Sequence, residues 1–243
     1  MAGRIFSSVK EAVDEVEREL FEMGIRVAGH SYQDKVVKGD GEFITTELQA
    51  YNFTITSPDS VEALEVVVDR YGQEVADWAW AEFEERVGLA PKNGRNPGRA
   101  WERRREVWEQ FLEKGSGRFS YTYGERMLPQ LDSIIKELKK HPATRQAIIE
   151  IHNNLLDIGS LGGRRRMPCS MFYQLMIRNG GMDLIYTMRS SDFLTHFCND
   201  LALAVLLQDW VRTQVGNVSQ GNFTMFIGSL HAFKKDMTAR GIF

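Results

Sequence analysis

The chain has 243 residues, 43% of them hydrophobic and 26% charged, with a formal net charge of −3. This composition suits a folded globular protein and excludes a global electrostatic pull toward nucleic acid or anionic membrane. Two cysteines exclude a disulfide framework, MAGRIFSSV lacks an export signal's apolar core, and LALAVLLQDWV is too short to span a bilayer, so a cytoplasmic protein is expected.

In chain order, Ser7 or Ser8 caps a first helix with Val9, Val13, Val16 and Leu20 on one face and Gly24 as its stop. Residues 25–57 read as strands, most clearly in ITTELQAYNFTIT. Residues 59–87 predict one helix, with Trp78, Trp80 and Phe83 as packing groups. APKNGRNPGRA, Ala90 to Ala100, is a basic loop. A charged helix is predicted over 101–112, KGSGR breaks it, and another helix runs over 127–140 to His141-Pro142. RQAIIEI reads as a buried strand, and SMFYQLMIRNGGMDLIYTMRS as two strands turning at Asn179-Gly180-Gly181. A long apolar helix over 194–215 and a last strand, GNFTMFIGSLHAF, complete an α+β pattern expected to form one domain over 1–243.

Cys169 sits in RRRMPCS, behind Arg164, Arg165 and Arg166. Positive charge beside a thiol favours the nucleophilic thiolate. On local sequence alone, a nucleophile and a small core residue fit Cys169 equally. Cys198, inside an apolar helix, reads as core. The histidines and cysteines show no zinc-ligand spacing, and GSLGGRRR lacks the strand-loop-helix order of a phosphate loop, so no metal is expected.

RRRMPCSMFYQLMIRNGGMDLIYTMRSSDFLTHFCNDLALA resembles the catalytic stretch of the thymidylate synthase superfamily. The matching positions are Pro168-Cys169, Gln174, Arg189-Ser190-Ser191-Asp192 and Asp200, followed by His231 in GSLHAF. Upstream, VWEQFLEKGSGRFSYTYGERM matches at Trp108 and Tyr123-Gly124, HPATRQAIIEI at Pro142 and Arg145, AEFEERV at Glu82, and SYQDKVV at Lys35. The resemblance implies a thymidylate synthase-like α+β fold, a central mixed sheet covered by helices, and a homodimer formed through the sheet.

The resemblance also implies roles. Cys169 would attack a pyrimidine nucleoside monophosphate, and 5,10-methylenetetrahydrofolate would supply the one-carbon unit. Glu82 and Tyr123 would orient water and relay protons, and Asp200 would read the base. Arg189, with Lys35 and with Arg145 of the partner subunit, would hold phosphate, Gln174 and Ser190 would support phosphate and base, and His231 the sugar. Asp192 and Trp108 would bind the folate. Departures from the family pattern are Gln146 in place of a second phosphate arginine, for which Arg164 to Arg166 could substitute, and Phe233 in place of a ribose-binding tyrosine.

Asp200 is the informative position. Thymidylate synthases carry Asn there, whereas the cytidylate (CMP/dCMP) 5-hydroxymethylases carry Asp. A carboxylate accepts from cytosine's amino group and favours protonation of its ring nitrogen, but faces a second acceptor on uracil. Cytosine hydroxymethylation is therefore expected. The end of the chain soon after GSLHAF, at MTARGIF, leans the same way, because weaker closure admits water as the last nucleophile. Two alternatives remain: thymidylate synthase-type methylation of dUMP, and a nucleic-acid-binding module using Lys92 to Arg105 with Trp101 and Trp108. The acids Glu102 and Glu106 interrupt that basic segment and favour a solvated helix face, so no nucleic-acid or membrane partner is expected.

Overall fold

The structure is a computed structural model that describes residues 3–29, 31–32, 35–37, 39–89, 96–103, 105–158 and 166–242. Helix α1 (Val9–Met23) starts at Ser8, whose hydroxyl accepts from the Glu11 N–H, and ends at Gly24. Strand β5 (Ile44–Ile55) lies between β1 (Arg4–Phe6), which runs parallel to it, and β9 (Ser219–Phe233), which runs antiparallel. The sheet continues through β8 (Gly181–Asp192), β7 (Ser170–Arg178) and β6 (Ile148–Glu150), while β2 (Ile25–Ala28) pairs with part of β5. Strand β8 is parallel to β9 and antiparallel to β7, so the sheet is mixed. A short separate ribbon joins β3 (Ser31–Tyr32) and β4 (Lys35–Val36).

Strand alternation gives the sheet two unlike faces. The register row Phe53, Met225, Tyr186, Tyr173 and Ile149 is buried, and all five are in the main core. Helix α8 (Cys198–Val215) is part of that core, and its residues from Leu201 to Gln208 are all buried. Gln208 offsets its burial by donating from its amide to Met182 O at 2.7 Å and Asn222 O at 3.1 Å, beside the bulge between β8 and β9. The adjoining rows point the other way: Thr54, Thr224, Ile185, Gln174 and Ile148, then Asn52, Phe226, Thr187, Phe172 and Glu150.

Several predicted elements differ in extent. The helix expected over 59–87 is two, α2 (Ser60–Tyr71) and α3 (Gln73–Val87), separated by Gly72 at φ +92°, a left-handed value that suits glycine. Trp80 is exposed rather than packed into the core, because it lies on the outer side of α3. The helix expected over 101–112 is broken into α4 (Arg99–Arg103), α5 (Arg105–Trp108) and a 3₁₀ turn at Glu109–Phe111. There Trp101, Trp108 and Phe119 gather with Trp78 into a second apolar cluster, and packing of these rings overrides a continuous helix. The strand expected over RQAIIEI is only β6, where Gln130 of the neighbouring helix accepts from Glu150 N and donates to Glu150 O. The hairpin turns as expected at Asn179 and Gly180, both with positive φ. A π-helical stretch, Phe193–Phe197, precedes α8. Short helices α7 (Asn154–Asp157) and α9 (Lys234–Ala239) follow β6 and β9. Among the described residues no helix is long and apolar enough to cross a membrane.

Helix α6 (Tyr123–Lys140) begins earlier than the sequence pattern suggests, because Thr122 and Glu125 form a capping box. The Thr122 hydroxyl accepts from Glu125 N at 3.2 Å, and the Glu125 carboxylate accepts from Thr122 N at 2.9 Å. Substituting Thr122→Ala is expected to cost about 1 kcal/mol. For a chain of this size that lowers Tm by roughly 2–4 °C in thermal denaturation.

Candidate active site

One cavity lies where α3, the first turn of α8, and the ends of β8 and β9 meet. Hairpin register builds the edge that carries Cys169. Ser170 pairs with Met188, and the Arg189 N–H donates to Cys169 O at 2.8 Å, so residues twenty apart in sequence become neighbours. Cys169 is half-buried. Arg189 and the Ser190 hydroxyl each approach its sulfur at 3.7 Å. Arg189 also donates to Pro168 O at 2.9 Å, Met167 O at 3.0 Å and Ser190 Oγ at 2.9 Å. The arginine thus clamps the segment that presents the thiol. Four of the roughly five N–H directions of a guanidinium are used within the protein, so a phosphate would meet mainly its outer edge.

The opposite wall comes from α3. Trp78, Glu82 and Arg86 recur every four residues and line the cavity as one stripe. Glu82 and Arg86 are 5% and 4% exposed, a buried ion pair. Arg86 Nε donates to Glu82 Oε1 at 3.0 Å, and Nη2 makes a second short bond to the same oxygen. Nη1 reaches the Tyr173 hydroxyl at 3.4 Å, and the guanidinium lies 4.4 Å from the centre of the Tyr123 ring. Burial pushes the Tyr123 hydroxyl well above its ordinary range.

The first turn of α8 supplies Asn199 and Asp200. Asp200 Oδ2 accepts from the Ser191 hydroxyl at 3.2 Å. Burial pushes the Asp200 carboxyl up from 3.8 to about 7, with the Arg86 cation pulling it down and the Glu82 carboxylate pushing it up. Asn199 is 2% exposed, and its Oδ1 is buried with no hydrogen-bond partner. Asp192 lines the same cavity and accepts from Leu194 N at 3.2 Å. His231 lies beside it in register, with Nδ1 at 3.3 Å from both Ser229 oxygens. Phe233 packs edge-on against His231, with ring centres 5.1 Å apart. Aromatic groups form the remaining wall. Trp108 stands between Trp101, at 4.5 Å, and His196, at 5.8 Å. A planar heterocycle has here both an aromatic surface and, at Asp192, a carboxylate to accept from its N–H groups.

Nine residues singled out from sequence therefore line one cavity: Cys169, Glu82, Tyr123, Asp200, Arg189, Ser190, His231, Asp192 and Trp108. Gln174 does not. It points to the other sheet face and donates to Arg145 O at 2.9 Å, because its neighbours Tyr173 and Leu175 occupy the core side. Arg145 is exposed and away from this chain's own cavity. The Lys35 side chain, Arg164 and Arg165 lie outside the described residues. Arg166 lines the cavity too. Its guanidinium is enclosed by aromatic rings, 5.1 Å from the centre of Tyr121 and 5.3 Å from that of Trp108. Sequence reasoning missed Arg86 and Asn199, and it placed Ser191 in the motif without giving it a role. Only Arg86 had a readable signal, the four-residue spacing from Glu82. No group of His, Cys, Asp and Glu able to hold a metal occurs among the described residues.

Residues 66–240 match the family model of thymidylate synthase. A Methanocaldococcus jannaschii protein described as a candidate thymidylate synthase is 30% identical over 116 residues, 47% of this chain and 52% of that protein. The deoxyuridylate hydroxymethyltransferase of Bacillus phage SP01 is 28% identical over 151 residues, 54% of this chain and 38% of that protein. The matches thus span about half, or less, of these relatives' own length. The fold resembles thermostable thymidylate synthase A from Bacillus subtilis, with a TM-score of 0.63 over 97% of this chain and 83% of that one, at 14% identity.

The raised Asp200 carboxyl has a measurable consequence. Its folded value lies above its ordinary one, so the stability tied to neutral Asp200 is whole below 3.8 and is lost as pH climbs through about 7. Asp200→Asn removes this loss, which amounts to roughly 1.4 kcal/mol for each tenfold change in the carboxyl's proton affinity. The variant is expected to melt above wild type at about pH 8, with the gap closing toward about pH 4. Parallel Tm curves across that range would contradict the assignment.

Proposed function

Because the chain belongs to the thymidylate synthase family, we propose that it transfers a one-carbon unit from 5,10-methylenetetrahydrofolate to carbon 5 of a cytosine nucleotide, CMP or dCMP, as one domain. The single observation that carries this reading is Asp200, half-buried in the wall of the same cavity as Cys169 and Arg189. The Cys169 thiolate adds to ring carbon 6 and makes carbon 5 nucleophilic toward the methylene that the folate supplies. Loss of the carbon-5 proton with release of tetrahydrofolate leaves an exocyclic methylene on the base; water added to it gives the 5-hydroxymethyl product, and loss of the thiolate restores the ring. Glu82, fixed by Arg86, orients that water, and Tyr123 assists proton movement. Asp200 reads the amino edge of the base, His231 faces the sugar, and Arg189 meets the phosphate. Asp192 and Trp108 hold the folate through its N–H groups and its planar face.

Uracil is the second reading. The phage relative is named for deoxyuridylate, and an uncharged Asp200 can pair with uracil. Mass spectrometry of CMP, dCMP and dUMP after incubation with the folate separates the outcomes. Hydroxymethylation adds the atoms CH₂O and methylation adds CH₂, with dihydrofolate formed only in the second case. Cys169→Ala is expected to abolish either product. A product formed by that variant would refute covalent catalysis.

The sheet face away from α8 supports a homodimer. It carries Phe226, 44% exposed, and Ile148, 42% exposed, in rows that no described helix of this chain covers. Arg145 adjoins that face through Gln174, so a second copy docked there would bring its Arg145 toward the phosphate end of the site. Phe226→Lys is expected to turn a dimer into a monomer in size-exclusion chromatography with light scattering. An unchanged mass would exclude this face as the interface.

A further inference from the structure

Asn199 is a polar side chain in an apolar part of α8. Its neighbours Cys198, Leu201, Ala202 and Leu203 belong to the main core, and it is itself 2% exposed. No group among the described residues donates to its Oδ1. An acceptor buried without a donor is destabilising, so its presence calls for a donor from elsewhere. Asn199 lines the cavity, and so do Asp192 and His196, seven and three residues before it on the same helical run. The His196 ring lies against that of Trp108, with centres 5.8 Å apart. Residues three apart on a helix are neighbours, so Asn199 belongs to the Trp108 side of the cavity. Trp108 Nε1 is buried there without a partner too. One wall thus holds an unfilled acceptor and an unfilled donor.

We propose that Asn199 is a further binding residue for the one-carbon donor: its carbonyl oxygen accepts the N–H at position 8 of a reduced pterin. This rests on reading the cavity as a site for a pyrimidine nucleotide and a folate. A pterin carries donors and acceptors around one flat ring system, so it can fill both orphaned atoms of the wall. The two oxygens of the Asp192 carboxylate match the adjacent amino and ring N–H groups at one end of that ring system. The N–H at position 8 is then the donor left over, and it lies on the other ring. Asp192 and Asn199 stand about two helical turns apart, roughly 10 Å along the axis. Two hydrogen bonds of about 2.9 Å with the width of a fused two-ring heterocycle between them cover such a gap.

The test measures Kd for tetrahydrofolate by calorimetry in wild type, Asn199→Leu and Asn199→Ala, with CMP present and again with dUMP. Each titration is repeated with 8-deazatetrahydrofolate, in which carbon replaces the N–H in question. Wild type is expected to bind tetrahydrofolate about tenfold more tightly than the analogue. Asn199→Leu should bind the two alike, with its nucleotide Kd within about twofold of wild type. Leucine fills similar space without a polar atom, so without ligands this variant is expected to melt about 2–4 °C above wild type. A variant that melts below wild type and weakens both pterins equally marks a structural residue and overturns the proposal. An undiminished preference for tetrahydrofolate in the variant overturns it as well. Should Asn199→Leu fail to fold, the same ratio in Asn199→Ala decides. If wild type binds both pterins equally, the role of Asn199 is rejected while the folate site stands. If it binds neither with either nucleotide, the reading of the cavity fails and the proposal falls with it.

Discussion

The ion pair between Arg86 and Glu82 sits where the helical layer meets the sheet, and little water reaches it. Removing one partner of such a pair typically costs about 3–5 kcal/mol, because the other charge stays buried. The pair therefore constrains its surroundings. Tyr173 must point its hydroxyl at the guanidinium, and Tyr123 must lie over its face. The stacked rings of Tyr173 and Tyr186, 4.3 Å apart, then carry this arrangement across β7 and β8 toward Ser170. The edge of the cavity that carries Cys169 is thus braced from below by the same network that fixes the carboxylate opposite it.

The sheet divides the molecule's work between its faces. One face is dry and packed by α8, whose burial on all sides leaves its first turn as the natural place for a polar group to enter the cavity. The other face holds threonines, Gln174 and scattered apolar side chains, a mixture suited to a second protein surface rather than to a core.

The departures from the family pattern fall into place around this frame. Phe233 gives up a hydroxyl but packs on His231 and fixes the ring's tilt. Arg166 belongs to the aromatic wall with Trp101, Trp108 and Tyr121, where its flat cation lies among ring faces. Charge in this site is handled by enclosure as much as by pairing.

Local pattern was enough to identify the hairpin at Asn179-Gly180, the first helix with a serine cap, the apolar helix α8, and the family through the order of its motifs. These depend on short-range spacing and turn chemistry, which a sequence displays directly. It also singled out Cys169, Asp200 and Arg189. The break at Gly72, the fragmented segment around Trp101 and Trp108, and the early start of α6 depend on competition between local propensity and packing, so they became visible only in three dimensions. Gln174 shows the limit most clearly. Its spacing from Cys169 fits the family motif, yet strand alternation turns it to the opposite face. The meeting of Arg86 with Glu82 was written in helical spacing, but their closeness to Asp200, more than a hundred residues away, was decided by the tertiary structure, because only the packed chain sets which charges share a dry cavity.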